Sequence, residues 1–245
     1  MSEEAAPASE GGATFAPQPT QVEPTEVEPT EVEGVLTSTL LSAVQRHGSG
    51  AVLLCSFQKE ESVLIDELVR IGGGSTPVRI VMIDTGVLFE ETIQTSRELQ
   101  RHFGIEVEVQ DATGPWTGPE KCCSAAKVAA LGRALQHATA WITGVRREQA
   151  PTRANAQLIE RDEARAIEKY NPLAFWTEED IWRRIHRRGL PYNILHDHGY
   201  DSIGCRPCTM PGRGRAGRWA GTEKTECGLH VPPQAMPLAA ETRQD

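Results

Sequence analysis

From residue 34 onward the apolar positions switch between two periods, and the switching outlines a fold. "VLTSTLLSAVQRHG" (35–48) spaces its apolar residues at helical intervals and ends on a glycine, which predicts a helix with a carboxyl-terminal stop. "AVLLCSF" (51–57) is a short unbroken apolar run, the pattern of a strand buried on both faces of a parallel sheet. A helix is predicted over "ESVLIDELVRIG" (61–72), a second strand over "VRIVMID" (78–84) and a helix over "FEETIQTSRELQRHFG" (89–104). "IEVEV" (105–109) reads as a third strand and "AWITGV" (140–145) as a fourth, with a helix carrying Cys122 and Cys123 between them. "ARAIEKYNPL" (164–173) supplies a further strand. In "TEEDIWRRIHRRG" (177–189), Thr177 and Asp180 are placed to cap a helix and Gly189 to end it.

Strands alternating with helices predict an α/β domain, a mostly parallel sheet with helices on both faces. Ligands of such sheets bind beyond the carboxyl ends of the strands, so the loops after Phe57, Asp84 and Val145 are where chemistry is expected. After about residue 200 the periodicity fades into glycine, proline, arginine and cysteine, an irregular extension over 201–245. Ahead of the domain, "EPTEVEPTEVE" (23–33) repeats a five-residue unit with too little apolar surface to offset chain entropy, and residues 1–33 are expected to be a disordered acidic tail. That leaves 34–200 as the α/β domain.

The net charge of −9 belongs almost wholly to that tail, whose eight glutamates face no lysine or arginine; the other 212 residues carry about −1 between them. A nucleic-acid partner is not expected from this balance. Neither a signal peptide nor a membrane-spanning stretch is expected, so the chain is read as cytoplasmic, where thiols stay reduced.

Against that background the cysteines stand out. "KCCSAAK" (121–127) and "GCRPC" (204–208) give two pairs some eighty residues apart, a pattern for a metal or iron–sulfur site. Zinc is the competitor, but adjacent cysteines on a helix point about 100° apart, which suits two corners of a [4Fe–4S] cluster better than one small ion. Lys127, one turn later, would add a positive charge beside it. Cys55 lies inside an apolar run and reads as a core residue.

"SFQKEES" (56–62) leaves the first strand for a helix and matches neither dinucleotide nor P-loop fingerprints; taken alone it reads first as an ordinary strand-to-helix turn, with a phosphate or sulfate cradle as the alternative. "IDTG" (83–86) could position a nucleotide's sugar or base, or simply cap a helix. Arg206, Arg213, Arg215 and Arg218 crowd the segment after Cys205 with no acid among them, and Arg146, Arg147 and Arg153 follow the fourth strand. A solvated basic face is one reading; a grip on a multi-anionic small substrate is the other. Cys227 in "TECGLH" (225–230) has no CxxC partner, and a thiol near cations is a candidate nucleophile. His230 could assist it or be a surface histidine.

Taken together and in order, "SFQKEESVLID", "IDTGVLFEET", "KCCSAAK", "AWITGVRREQAPTRA", "EKYNPLAFWTEEDIW", "GCRPCT", "RAGRW" and "ECGLH" resemble the thioredoxin-dependent assimilatory sulfonucleotide reductases, specifically the iron–sulfur branch that reduces adenosine 5′-phosphosulfate (APS). The resemblance spans about residues 34–232. It implies an adenine-nucleotide hydrolase-like fold and one [4Fe–4S] cluster on Cys122, Cys123, Cys205 and Cys208, with Lys127 linking cluster and substrate. It implies Cys227 as nucleophile. The adenosine and phosphosulfate would lie among Ser56, Phe57, Gln58, Glu60, Asp84, Thr85, Gly86, Arg146, Arg147, Arg153, Arg215, Arg218 and His230. The segment 209–214 is shorter than the family pattern, and the acidic tail has no counterpart in it.

The implied reaction releases sulfite and AMP through an S-sulfocysteine on Cys227, which thioredoxin or a glutaredoxin-like thiol donor discharges, in sulfate assimilation toward cysteine. The cluster is expected to stay structural and electrostatic, the terminal segment to be mobile, and a homo-oligomer is compatible with the reading. Rival readings are reduction of the 3′-phosphorylated substrate (PAPS) or of both, a zinc-containing enzyme that adenylates with ATP, and a non-catalytic metal sensor.

Overall fold

The computed structural model describes residues 31–114, 125–224 and Glu226. Most of the acidic tail, Cys122, Cys123, Cys227 and His230 therefore lie outside the described residues. The strands are β1 (Ala51–Cys55), β2 (Arg79–Asp84), β3 (Glu108–Asp111), β4 (Ala140–Ile142), β5 (Ile159–Asp162) and β6 (Ile167–Tyr170). They form one sheet in the order β3-β2-β1-β4-β6-β5, parallel except for the β5–β6 pair.

Successive side chains of a strand point to opposite faces, and here each face meets its own apolar layer. Ala51, Leu53 and Cys55 of β1 and Ile80 and Met82 of β2 pack into one cluster; Val52, Val81 and Ile83 pack into the other. The first face is covered by α1 (Glu31–His47), α2 (Lys59–Ile71), α3 (Glu90–Phe103) and α5 (Glu178–Arg188), through residues such as Leu40, Leu64, Leu99 and Ile181. The second is covered by α4 (Ala125–Ala134) and by Cys208 and Trp219 of the carboxyl-terminal segment. Each fully buried leucine or isoleucine contributes on the order of 2 kcal/mol of transfer free energy. Burial on both faces explains the unbroken apolar runs of β1 and β2.

Where α2 meets α5 the contact is ionic. The Arg184 guanidinium is buried and donates to Asp66 Oδ2 at 2.7 Å and Glu67 Oε2 at 2.8 Å. Thr177 caps α5 by accepting from the Asp180 N–H at 3.1 Å, and Gly189 ends the helix in the left-handed region at φ 60°, both as the sequence predicts.

Several elements differ from expectation. β4 ends at Ile142 rather than at residue 145, and β6 spans Ile167–Tyr170 rather than 164–173. α1 begins at Glu31, so residues 31–33 are folded, and Glu33 bonds Arg187 of α5. The third strand is 108–111, not 105–109, because α3 ends in a left-handed Gly104 and the Ile105 N–H bonds back to Gln100 O at 3.2 Å, using Ile105 as a cap residue. β5 was not predicted; it is an edge strand of alternating exposure, paired from Ile159↔Tyr170 to Asp162↔Ile167. Among the described residues no helix is long and apolar enough to cross a membrane.

Chain order runs outward from β1 through β2 to β3 on one side, while β4 opens the other side. The strand order reverses between β1 and β4, and in such sheets a crevice opens at their carboxyl ends.

Candidate active site

β1 and β4 both stop early, at Cys55 and Ile142, because the next residues turn away to line that crevice, a cavity of about 350 Å³. After β1, Phe57 adopts a left-handed φ of 54° although its side chain is fully buried. Such a backbone costs roughly 1–3 kcal/mol and persists only where surrounding packing enforces it. Its ring is part of the first apolar cluster and its carbonyl accepts from Asn193 Nδ2 at 3.4 Å. The kink leaves Ser56 and Gln58 lining the cavity and Phe57 outside it. The Gln58 amide then bridges, donating to Ser56 Oγ at 3.1 Å and accepting from the Ile203 N–H at 2.6 Å.

The amino terminus of α2 is not an open anion cradle. The Gln58 N–H donates to Glu61 Oε2 at 2.9 Å, and Ser56 Oγ donates to the same oxygen at 3.3 Å. Beside it, Glu60 accepts from Arg146 Nε at 3.0 Å and from Gln149 Nε2 at 3.0 Å. Gly144 permits this closeness, since a Cβ there would come within 2.9 Å of both Glu60 and Glu61. Burial alone would raise the Glu60 pKa, but Arg146 and Lys59 outweigh it and hold the carboxylate below its usual range. Burial, then repulsion from Glu60, pushes Glu61 up to about 8 despite its hydrogen bonds. At neutral pH Glu60 is matched by an arginine and Glu61 keeps its proton, which lowers the negative charge that this pair brings to the cavity.

A pH effect on stability follows. Below about 4.5 Glu61 is protonated folded or unfolded; between about 4.5 and 8 only the folded state holds the proton. The unfolded state then binds fewer protons, so wild-type stability falls as pH rises through that window, by a few kcal/mol at most. Glu61→Gln should flatten this decline, measured as urea midpoints at pH 5 and pH 9. Equal slopes for the two proteins would refute the assignment.

Arg146 lines the cavity but is buried and engaged by three carboxylates: Glu60, Glu148 at 3.0 Å and Glu178 at 2.6 Å. Arg147 is not at the cavity; it lies over the Phe175 ring at 4.3 Å and donates to Ala156 O. Asp84, Thr85 and Gly86 also sit outside the lining, where Met82 and Ile83 stand instead. Asp84 accepts from the Gly86 N–H at 2.8 Å in a local turn, and Gly86 takes a φ of 71°; the helix that follows is instead entered at Phe89, with no side-chain cap. Thr85 Oγ1 lies 3.2 Å from Cys205 Sγ.

The carboxyl-terminal segment is pinned across these strand ends. Leu88 bridges to Cys205, and the Arg206 N–H donates to Val87 O at 2.8 Å. Cys205 and Cys208 flank one tight turn, with Cys208 N–H donating to Cys205 O at 3.0 Å, and both are buried. Two buried thiols on a CxxC turn, one with a hydroxyl against its sulfur, suit two corners of a four-thiolate cluster. Among the described residues no third ligating side chain joins them. Further on, Trp219 is a buried platform under Arg218 at 4.6 Å and Arg215 at 5.3 Å. Arg218 Nη1 donates to Ser202 Oγ and Ile203 O. Lys127, Arg153, Arg215 and Arg218 all line the cavity. Cys55 lines it too, but burial and then Glu61 push its thiol well above the usual range, so it is a packing residue.

Sequence reasoning missed Glu61, Gln149 and Ser202 in the lining. Glu61 had a readable signal, a second acid in the first turn of α2; the other two did not.

Comparison with known proteins agrees with this architecture. The phosphoadenosine phosphosulfate (PAPS) reductase domain family matches residues 50–211. An adenosine 5′-phosphosulfate reductase of Geobacillus sp. strain WCH70 is 40% identical over 207 residues, 77% of this chain and 87% of the relative. One from Staphylococcus haemolyticus is 41% identical over 77% of this chain and 84% of its own. A crystal structure of PAPS reductase from Candida auris superposes with a TM-score of 0.60 at 24% identity, over 70% of this chain and 88% of that one. The domain match and the relatives together make this chain a member of the PAPS reductase domain family.

Proposed function

We propose that the protein reduces adenosine 5′-phosphosulfate to sulfite and AMP, an oxidoreductase of sulfate assimilation, as the names of its 40%-identical relatives suggest. The observation that carries the reading is the meeting of the Ser56–Gln58 loop with Lys127, Arg153, Arg215 and Arg218 in one cavity at the strand reversal. In our reading the adenosine lies over the strand ends and the phosphosulfate is held by those cations, with Ser56 and Gln58 as hydrogen-bond partners. Arg146 and Glu60 act as supports for the floor.

The Cys227 thiolate attacks the sulfur of the sulfo group, and the bond from sulfur to the phosphate oxygen breaks. AMP leaves with that electron pair, its charge stabilised by the cations, and an S-sulfocysteine remains. A thiolate of a dithiol donor of the thioredoxin class then attacks Cys227 Sγ and expels sulfite. The donor's second thiol resolves the mixed disulfide, restoring Cys227 and leaving the donor oxidised by two electrons. Sulfur takes up those two electrons. His230 is assigned to assist Cys227.

Cys205 and Cys208, with Cys122 and Cys123, would hold a [4Fe–4S] cluster. When bound it would supply a fixed local charge to the anion site. Wild type is expected to carry four iron and acid-labile sulfide with broad absorbance near roughly 400 nm, and Cys205→Ser to lose both. One zinc per chain in wild type would contradict the cluster.

The functional test is sulfite release from APS and from PAPS with a reduced thioredoxin. We expect APS to be the better substrate. No sulfite from either, by protein holding its metal, would end the reductase reading.

A further inference from the structure

Two of the cations that line the cavity meet on one carboxylate. Arg153 donates from Nε at 2.9 Å and Nη2 at 2.8 Å to the two oxygens of Glu226, and Arg215 Nη2 donates to Glu226 Oε1 at 2.7 Å. Thr152 Oγ1 adds a contact at 3.3 Å. The side chains are largely shielded, with exposures of 10% for Arg153 and Glu226 and 14% for Arg215.

Exposed ion pairs contribute little, partly because two long side chains must be ordered to form them. That cost is already met here. Arg153 Nη1 is held by Gln149 Oε1 at 2.5 Å, and Arg215 lies over the Trp219 ring. The carboxylate enters a prepared guanidinium fork, the strong form of such a contact.

Glu226 is the residue directly before Cys227, and consecutive Cα atoms are about 3.8 Å apart. Whatever holds Glu226 therefore keeps the chain within one residue of Cys227 at the cavity. Glu226 also brings a negative charge onto arginines that the substrate's anion would seek.

We propose that Glu226 is a positioning residue: its ion pair with Arg153 and Arg215 seats the chain at the cavity so that Cys227 faces the bound sulfo group. The inference rests on the reductase reading for the role of Cys227, while the anchoring itself does not. Two opposite effects follow from removing the charge. The terminal segment loses its seat, which slows sulfo transfer. The arginines lose a competing anion, which leaves nucleotide affinity unchanged or increases it. A residue that only maintained the cavity would lose affinity and rate together.

The test uses full-length, metal-loaded wild type, Glu226→Gln and Glu226→Asp. Amide hydrogen exchange over residues 222–230 is expected to be about tenfold faster in Glu226→Gln. Single-turnover transfer of labelled sulfur from APS to protein, without thiol donor, should slow about tenfold or more, and Glu226→Asp should recover part of it. AMP affinity should not fall. Unchanged exchange in Glu226→Gln overturns the anchor, whether or not the protein reduces APS. A transfer loss fully matched by a loss of AMP affinity, or an unchanged transfer rate, overturns the positioning role. Faster exchange in a protein whose wild type makes no sulfite would remove the reductase reading and leave the anchor standing.

Discussion

Replacing Cys227 with serine is expected to abolish sulfite production, by more than about a thousandfold, while leaving AMP binding intact. Removal of a catalytic nucleophile is among the largest single-residue effects on an enzyme, because its partners cannot act without it. A serine hydroxyl keeps the size of the thiol but is not ionised near neutral pH. It also forms no sulfur–sulfur bond for a thiol donor to attack. The measurement has two arms. In multiple turnover, Cys227→Ser should give no sulfite above a protein-free blank. With labelled APS and no donor, wild type should retain about one label per chain, released by added dithiol, and the variant none. Label retained by Cys227→Ser would place the nucleophile elsewhere. Cys55 is a poor alternative, because burial and Glu61 hold it in the thiol form. Cys205 and Cys208 are both buried on their turn.

The second large effect concerns stability. Arg184→Met should lower stability by about 3–5 kcal/mol, since removing one partner leaves buried carboxylates without their cation. Asp66 and Glu67 are both nearly fully buried and both accept from this guanidinium. Arg188 also reaches Asp66, and Arg70 bonds Glu67, which places the expectation toward the lower end. Burial alone would raise Glu67, but bonds from Arg70, Thr37 and Arg184 outweigh it and hold its pKa at about 2. A carboxyl lowered from 4.5 adds stability that is fully present above about 4.5 and is lost as pH falls toward 2. Arg184→Met should therefore melt roughly 10 °C lower at pH 7, with the gap to wild type narrowing toward pH 3. A pH-independent gap would mean that lost packing of the arginine stem, not lost pairing, causes the destabilisation.

How much of this was legible in the sequence depended on whether a residue's role was local. Thr177, Asp180 and Gly189 announce a helix by their own chemistry, and β1 by its unbroken apolar run. β5 gave no such signal because Ile159–Asp162 is a charged edge strand whose pairing with β6 supplies its order. Ile105 misled because a buried apolar residue after a left-handed glycine looks like the start of a strand. In the site, the gathering of arginines could be read from their density, but their individual assignments could not. Arg146 and Arg147 are neighbours in sequence; one is buried among Glu60, Glu148 and Glu178, and the other lies over Phe175. Only the sheet's topology, which brings residue 60 to residue 146, separates them. Likewise the raised pKa of Glu61 comes from its burial and then from the neighbouring Glu60, and burial is a property of the packed fold that the sequence position does not display.

The pinning of residues 203–219 across the strand ends also has a consequence in time. Among the described residues all six strands of the sheet precede Ile203, and the Cys205–Cys208 turn docks on Val87 and Leu88 just after β2. During synthesis this turn has no platform until the parallel pairings around β1 are complete, and such long-range pairings form slowly. If these thiols take up iron and sulfide, they do so as a late step on a nearly complete sheet.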